Sequence, residues 1–145
     1  MKTWGELAGV APELAAQGER RLQGRVAYLA TVQKDGGPRV HPVTPIIGGG
    51  HLFIFMEPTS PKGFDLRRDG RYALHCGVEN NDGGEGEVYV GGRASFVEEP
   101  DLRATAVQAS PYTPKDRYIL FELQVGYVLA TTYEGDKAVR LNWKE

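Results

Sequence analysis

Residues 39–68 read RVHPVTPIIGGGHLFIFMEPTSPKGFDLRR, and this stretch decides the fold. Arg39 to Ile47 is rich in β formers, yet Pro42 and Pro45 each remove a ladder donor, which places the segment at a sheet edge or gives it a bulge. Gly48-Gly49-Gly50 turns the chain into His51 to Met56, a compact apolar run suited to a buried strand. Thr59-Ser60-Pro61-Lys62 then opens a short helix over Ser60 to Arg68. A hydroxyl side chain before a helix, proline at its first position and lysine in its first turn bring together unpaired amides, the positive helix end and an ammonium group. That is the chemistry of a phosphate seat.

N-terminal to this block, Pro12 to Gln23 predicts a short amphipathic helix weakened at Gly18, and Val26 to Val32 predicts a strand. Asp35-Gly36-Gly37 is a hairpin signal that returns the chain to Arg39. On the C-terminal side, Arg71 to Val78 and Glu87 to Glu98 read as strands, the second bent at Gly91-Gly92. Glu79 to Gly86 between them is an acidic, glycine-rich loop that its own side chains are not expected to order. Pro100 and Pro111 bracket a helix from about Asp101 to Ala109. Tyr118 to Thr132 and Ala138 to Trp143 form a last hairpin around Glu134-Gly135-Asp136. Six or seven strands with only short helices predict a mainly β fold, an antiparallel barrel that wraps its own edges. The chain reads as one domain over residues 1–145, with no internal repeat.

The bulk numbers narrow the function classes. Lys plus Arg at 17 against Asp plus Glu at 19 gives a net charge of -2, with no global attraction for nucleic acid or an anionic membrane. Arg67, Arg68 and Arg71 remain as a local basic cluster. Cys76 is the only cysteine, so no intrachain disulfide or thiolate-rich metal site is available, and a cytoplasmic address is expected. No run approaches the roughly 18 apolar residues of a membrane helix. Glycine at 19 of 145 residues beside ordinary proline points to many tight turns rather than disorder.

Neither a dinucleotide-binding Gly-x-Gly-x-x-Gly nor a phosphate-loop Gly-x4-Gly-Lys-Ser/Thr occurs, and no nucleophile and base pair emerges. His41, His51 and His75 lie in unrelated segments and offer no metal spacing. His75 and Cys76 read as structural residues of an interior strand, and Asp82, Glu85 and Glu87 as a solvated acidic group. Taken alone, Ser60 and Lys62 read as a helix cap and a solvated first-turn lysine, since caps far outnumber phosphate sites, and Phe55 and Met56 read as core.

The order of these segments resembles the pyridoxamine 5′-phosphate oxidase-like family of FMN-binding split barrels. The resemblance runs through Arg39-Val40-His41-Pro42-Val43-Thr44, Phe53-Ile54-Phe55-Met56, Ser60-Pro61-Lys62, Leu66-Arg67-Arg68-Asp69-Gly70-Arg71 and Glu87-Val88-Tyr89-Val90-Gly91-Gly92-Arg93-Ala94. It implies a split barrel that forms a homodimer, with FMN at the interface touched by both chains. Carried over by position, it implies phosphate contacts from the strand Arg39, Val40, His41, Pro42, Val43 and Thr44, flavin contacts at Phe55 and Met56, and the phosphate motif at Ser60, Pro61 and Lys62. Glu87 stands where the oxidase has a flavin-bonding glutamine, and Arg140-Leu141-Asn142 resembles its substrate-binding Arg-Leu-His, which makes Arg140 a substrate candidate. Thr44 replaces a lysine and Pro61 an arginine, so two cations of the oxidase seat are missing. The expectation is an FMN-dependent oxidoreductase of open small-molecule substrate. Deazaflavin, haem and a non-catalytic cofactor-binding or stress-response role stand as alternatives.

Overall fold

The computed structural model describes residues 1–145. In chain order the elements are α1 (Trp4–Val10), α2 (Pro12–Leu22), β1 (Ala27–Val32), β2 (Pro38–Val43), β3 (Ile46–Gly48), β4 (His51–Met56), α3 (Pro61–Arg68), β5 (Arg71–Cys76), β6 (Glu87–Phe96), α4 (Pro100–Ala109), β7 (Ile119–Glu134) and β8 (Lys137–Lys144). The eight strands form one antiparallel sheet in the order β2-β1-β5-β6-β7-β4-β3, with β8 also paired to β7.

Two connections turn this sheet into a barrel. β2 and β3 are the opposite ends of the strand order, yet only Thr44 and Pro45 join them. The sheet must therefore curl until its two edges nearly meet, which is a split barrel. β7 supplies the second connection: Ile119 to Glu122 pair with β4, and Tyr127 to Glu134 pair with β8 along the same edge. Its bend falls at a bulge, where Gly91 faces Tyr127 but Gly92 faces Val125. A side chain at Gly92 would put Cβ 2.0 Å from the Gln124 carbonyl oxygen, so only glycine allows this approach.

The expected single strand from Arg39 to Ile47 is two strands. Thr44-Pro45 breaks it, and this break is why there are eight strands rather than six or seven. Pro38 and Pro42 lie in β2, an edge strand, where a missing donor costs no ladder bond. The expected helix from Pro12 is α2, preceded by the unanticipated α1, which a reciprocal Thr3 and Glu6 capping box starts. Gly18 does not weaken α2. It seats the indole of buried Trp4, whose ring a Cβ there would approach to 2.5 Å.

The core has two parts. Trp4, Leu7, Leu14 and Leu22 of the first two helices pack on the inner sheet face with Leu29, Ile54, Leu74, Val90, Phe121 and Leu123. A smaller cluster of Ile46, Phe53, Phe55 and Leu120 lies under Ala106 of α4. The acidic loop differs from expectation because its own side chains do order it. Glu85 Oε1 accepts from the Glu79 and Asn80 amides, and Asp82 Oδ1 accepts from the Gly84 amide at 2.7 Å. No helix is long and apolar enough to cross a membrane.

Candidate functional site

Strand alternation sorts the motif residues of β2 onto two faces. Val40 and Pro42 point outward and are exposed, whereas Arg39, His41 and Val43 point inward. The inward residues meet α3. Arg39 Nε donates to Asp65 Oδ2 at 2.7 Å, and Val43 joins the core. Lys62 and Arg39 both act on His41, so the three side chains share one neighbourhood.

Ser60 precedes α3 but does not cap it. Its Oγ instead accepts from Lys62 Nζ at 2.9 Å. The Gly63 and Phe64 amides donate back to the Ser60 carbonyl at 3.0 and 3.3 Å, and Pro61 has no N–H, so of the first-turn donors only the Lys62 amide is not turned inward. Lys62 is half-buried, and desolvation lowers its pKa. No carboxylate lies within ion-pair distance of its ammonium, because the eight ion pairs of the chain involve other groups. A half-buried cation without an internal counter-ion is poised for an external one. Burial, and then the nearby charges of Lys62 and Arg39, push His41 below its ordinary range against an opposing pull from Asp65. His41 is thus neutral at pH 7 and adds no further cation.

Arg39 differs from Lys62. Asp65, only 3% exposed, accepts hydrogen bonds from Thr31 Oγ1 at 2.8 Å, Arg39 Nε at 2.7 Å and Arg68 at 3.0 Å. Burial pushes its carboxyl up, but the bonds from Arg39, Thr31 and Arg68 prevail and hold it below the usual carboxylate range. Arg68 also reaches the Val32 carbonyl, so the network ties α3 to β1 and β2. The resemblance does not point to Asp65. Its spacing of three residues from both Lys62 and Arg68, on one helix face, is the available sequence signal.

The remaining candidates lie elsewhere in the chain. Thr44 is half-buried in the β2–β3 junction, and Pro61 is exposed at the start of α3. Phe55 and Met56 are both interior but on opposite sides of β4: Phe55 in the smaller cluster below Arg103, Met56 in the main core beside Gly63. Glu87 accepts from His75 Nε2 at 2.8 Å on the outer sheet face, in register with Thr131 and then Arg140. Arg140 is exposed. The seat lies on the inner face at β2, whereas Glu87 is on the outer face of β6, three strands away in the order β2-β1-β5-β6. A single chain therefore brings Arg39, His41, Ser60 and Lys62 together and leaves Glu87 and Arg140 far from them.

The donor set at Ser60 and Lys62 fits an anionic group such as a phosphate monoester: an ammonium rests on a hydroxyl at a helix start, with no carboxylate within ion-pair distance of it. His51 and His75, by contrast, already engage Glu122 and Glu87.

The fold recurs in solved structures. A NimC/NimA family protein from Clostridium acetobutylicum superposes with a TM-score of 0.71 at 18% identity, covering 96% of each chain. The heme binding protein from Mycobacterium smegmatis gives 0.67 at 22% identity, covering 87% of this chain and 57% of that one, so the present chain spans little more than half its length. An F420 reductase gives 0.58 at 19% identity, covering 76% of this chain and 94% of that one. These likenesses are of fold. No curated protein sequence matches the chain. Residues 15–131, most of the barrel and all of the seat, match the pyridoxamine 5′-phosphate oxidase family. The chain belongs to that family.

Proposed function

We propose that this protein is an FMN-binding oxidoreductase whose flavin phosphate is held by Lys62 and Ser60 at the start of α3. The observation that carries this reading is the half-buried Lys62 ammonium, which touches Ser60 Oγ and has no counter-ion within the chain. A dianionic phosphate would supply that charge and take up the Lys62 amide as well. When bound, the flavin supplies the electron-transferring ring. The residues present hold the phosphate at the start of α3. Arg39 contributes through its field, because its guanidinium is already bonded to Asp65.

The active unit we propose is a homodimer. The outer face of β1, β2, β5 and β6 presents Tyr28 at 47% exposure, Val40 at 62% and Pro42, with Tyr89 alongside. This is an apolar surface of the kind a second copy covers. Glu87 and Arg140 also lie on the outer face, so in such a dimer they would reach the partner's seat rather than their own.

A deazaflavin used as a diffusible cosubstrate is the second reading. Thr44 and Pro61 leave the seat two cations short of the oxidase pattern, which suits a weakly held ligand, and the fold is shared with an F420 reductase. Titration with FMN and with a deazaflavin, followed by flavin fluorescence, separates the two. Tight FMN binding with yellow protein on purification supports the first reading. Binding of the deazaflavin alone supports the second, and binding of neither removes both.

A further inference from the structure

We propose that the opposite end of α3 carries a second anion site, for a small molecule bearing two or more phosphate or carboxylate groups. The proposal does not depend on the cofactor assigned above. Beside the β1–β2 turn lies a hollow of about 580 Å³ lined by Lys34, Arg68, Arg71 and Arg93, with Asp69 as its only carboxylate. It adjoins a second hollow of about 490 Å³ that shares Gln33, Lys34 and Arg68, adds Arg39 and the carboxylates of Asp35 and Asp65, and extends toward Thr59 and Pro61. Four cations against one carboxylate in the first hollow is a local feature, since the whole chain carries a net charge of -2.

Part of this charge has an internal explanation. Arg67 and Arg68 complement the negative end of the α3 dipole, and Arg68 is bonded to Asp65. Arg71 is held in a two-pronged bond by Asp69, at 3.0 Å and 2.6 Å, which lowers the Asp69 pKa to about 2. Arg93 and Lys34 have no such account. Arg93 stands directly across the sheet from Arg71 and is near enough to act on Asp69, yet neither Arg93 nor Lys34 forms an ion pair. Arg93 and Lys34, both outside any ion pair and both lining one concave site, favour an anion that bridges them. The concave shape and the acidic chain favour a small oligoanion over nucleic acid, which would need an extended basic track.

Calorimetric titration of the full chain with tripolyphosphate, and separately with citrate, tests the proposal and distinguishes phosphate from carboxylate chemistry. Because the Lys62 seat also accepts a phosphate, the titration is made in Lys62→Ala: saturable binding of one or both is expected there, weakened roughly tenfold or more when Lys34→Gln/Arg93→Gln is added. A melting series supplies an independent readout. Arg93→Gln should gain less in melting temperature than the parent on adding tripolyphosphate, because it removes one of the two cations without an ion pair. Absence of saturable binding in Lys62→Ala, equal binding once Lys34→Gln/Arg93→Gln is added, or tighter binding of a DNA duplex than of tripolyphosphate at the same salt would each overturn it.

Discussion

Lys62 and Arg39 are both cations of the same motif block, yet they stand in opposite electrostatic situations. Arg39 meets a buried carboxylate of its own chain at 2.7 Å, while Lys62 meets only a hydroxyl at 2.9 Å. The difference teaches that a positive residue in a motif is available to a ligand only if the fold has not already neutralised it. Arg39 serves mainly to hold α3 against β2, and Lys62 is left to meet an anion.

The largest effect that can break this comparison is on stability. Asp65→Ala leaves the partly exposed Arg39 and Arg68 without their partner and strands Thr31, so a loss of about 2–4 kcal/mol in denaturant unfolding is expected. Asp65→Asn, which preserves an acceptor for Thr31, should lose less. A loss below about 1 kcal/mol for Asp65→Ala would mean the network is a solvated surface pair.

The next effect is on ligand affinity. Lys62→Ala should weaken FMN binding by about 1.5–3 kcal/mol, roughly 10- to 150-fold, while leaving the unfolding midpoint of the unliganded protein nearly unchanged. Arg39→Gln should show the reverse pattern, with lower stability and a smaller change in FMN affinity. Equal affinity losses for the two variants would erase the distinction between them.

The smallest effect is a pH dependence. Desolvation places the folded Lys62 pKa below its ordinary 10.5, so between those two values the unfolded chain holds more protons and the stability of the unliganded protein rises with pH. Anion binding needs the charged form, so FMN affinity should fall over the same range. Lys62→Met should flatten both trends. Asp65, whose folded pKa lies below 3.8, contributes stability above that value and loses it as pH falls through the lowered value.

Much of the fold was legible from residues 39–68 and their flanks. Prolines in β2 marked the edge strand, Asp35-Gly36-Gly37 marked its hairpin, and the order of segments pointed to the split barrel. What escaped the sequence was long-range. Trp4 settling over Gly18 depends on contact between α1 and α2 fourteen residues apart, which local propensity does not record. The break at Thr44-Pro45 arises because β2 and β3 must occupy opposite edges of a closing sheet. The site shows the same division. The cluster of Arg39, His41, Ser60 and Lys62 followed from strand alternation and the helix start, but Asp65 as resident counter-ion required the packing of α3 against β1 and β2. Glu87 and Arg140 looked like members of that site in sequence, and a single protomer keeps them on another face.

The most direct measurement is a fluorescence titration of FMN against the full chain and its Lys62→Ala variant at neutral pH, with thermal melting of both proteins unliganded. The expected result is saturable binding by the parent, at least about a tenfold weaker association for the variant, and a variant that melts no lower than the parent. Equal affinity in two equally stable proteins would contradict it.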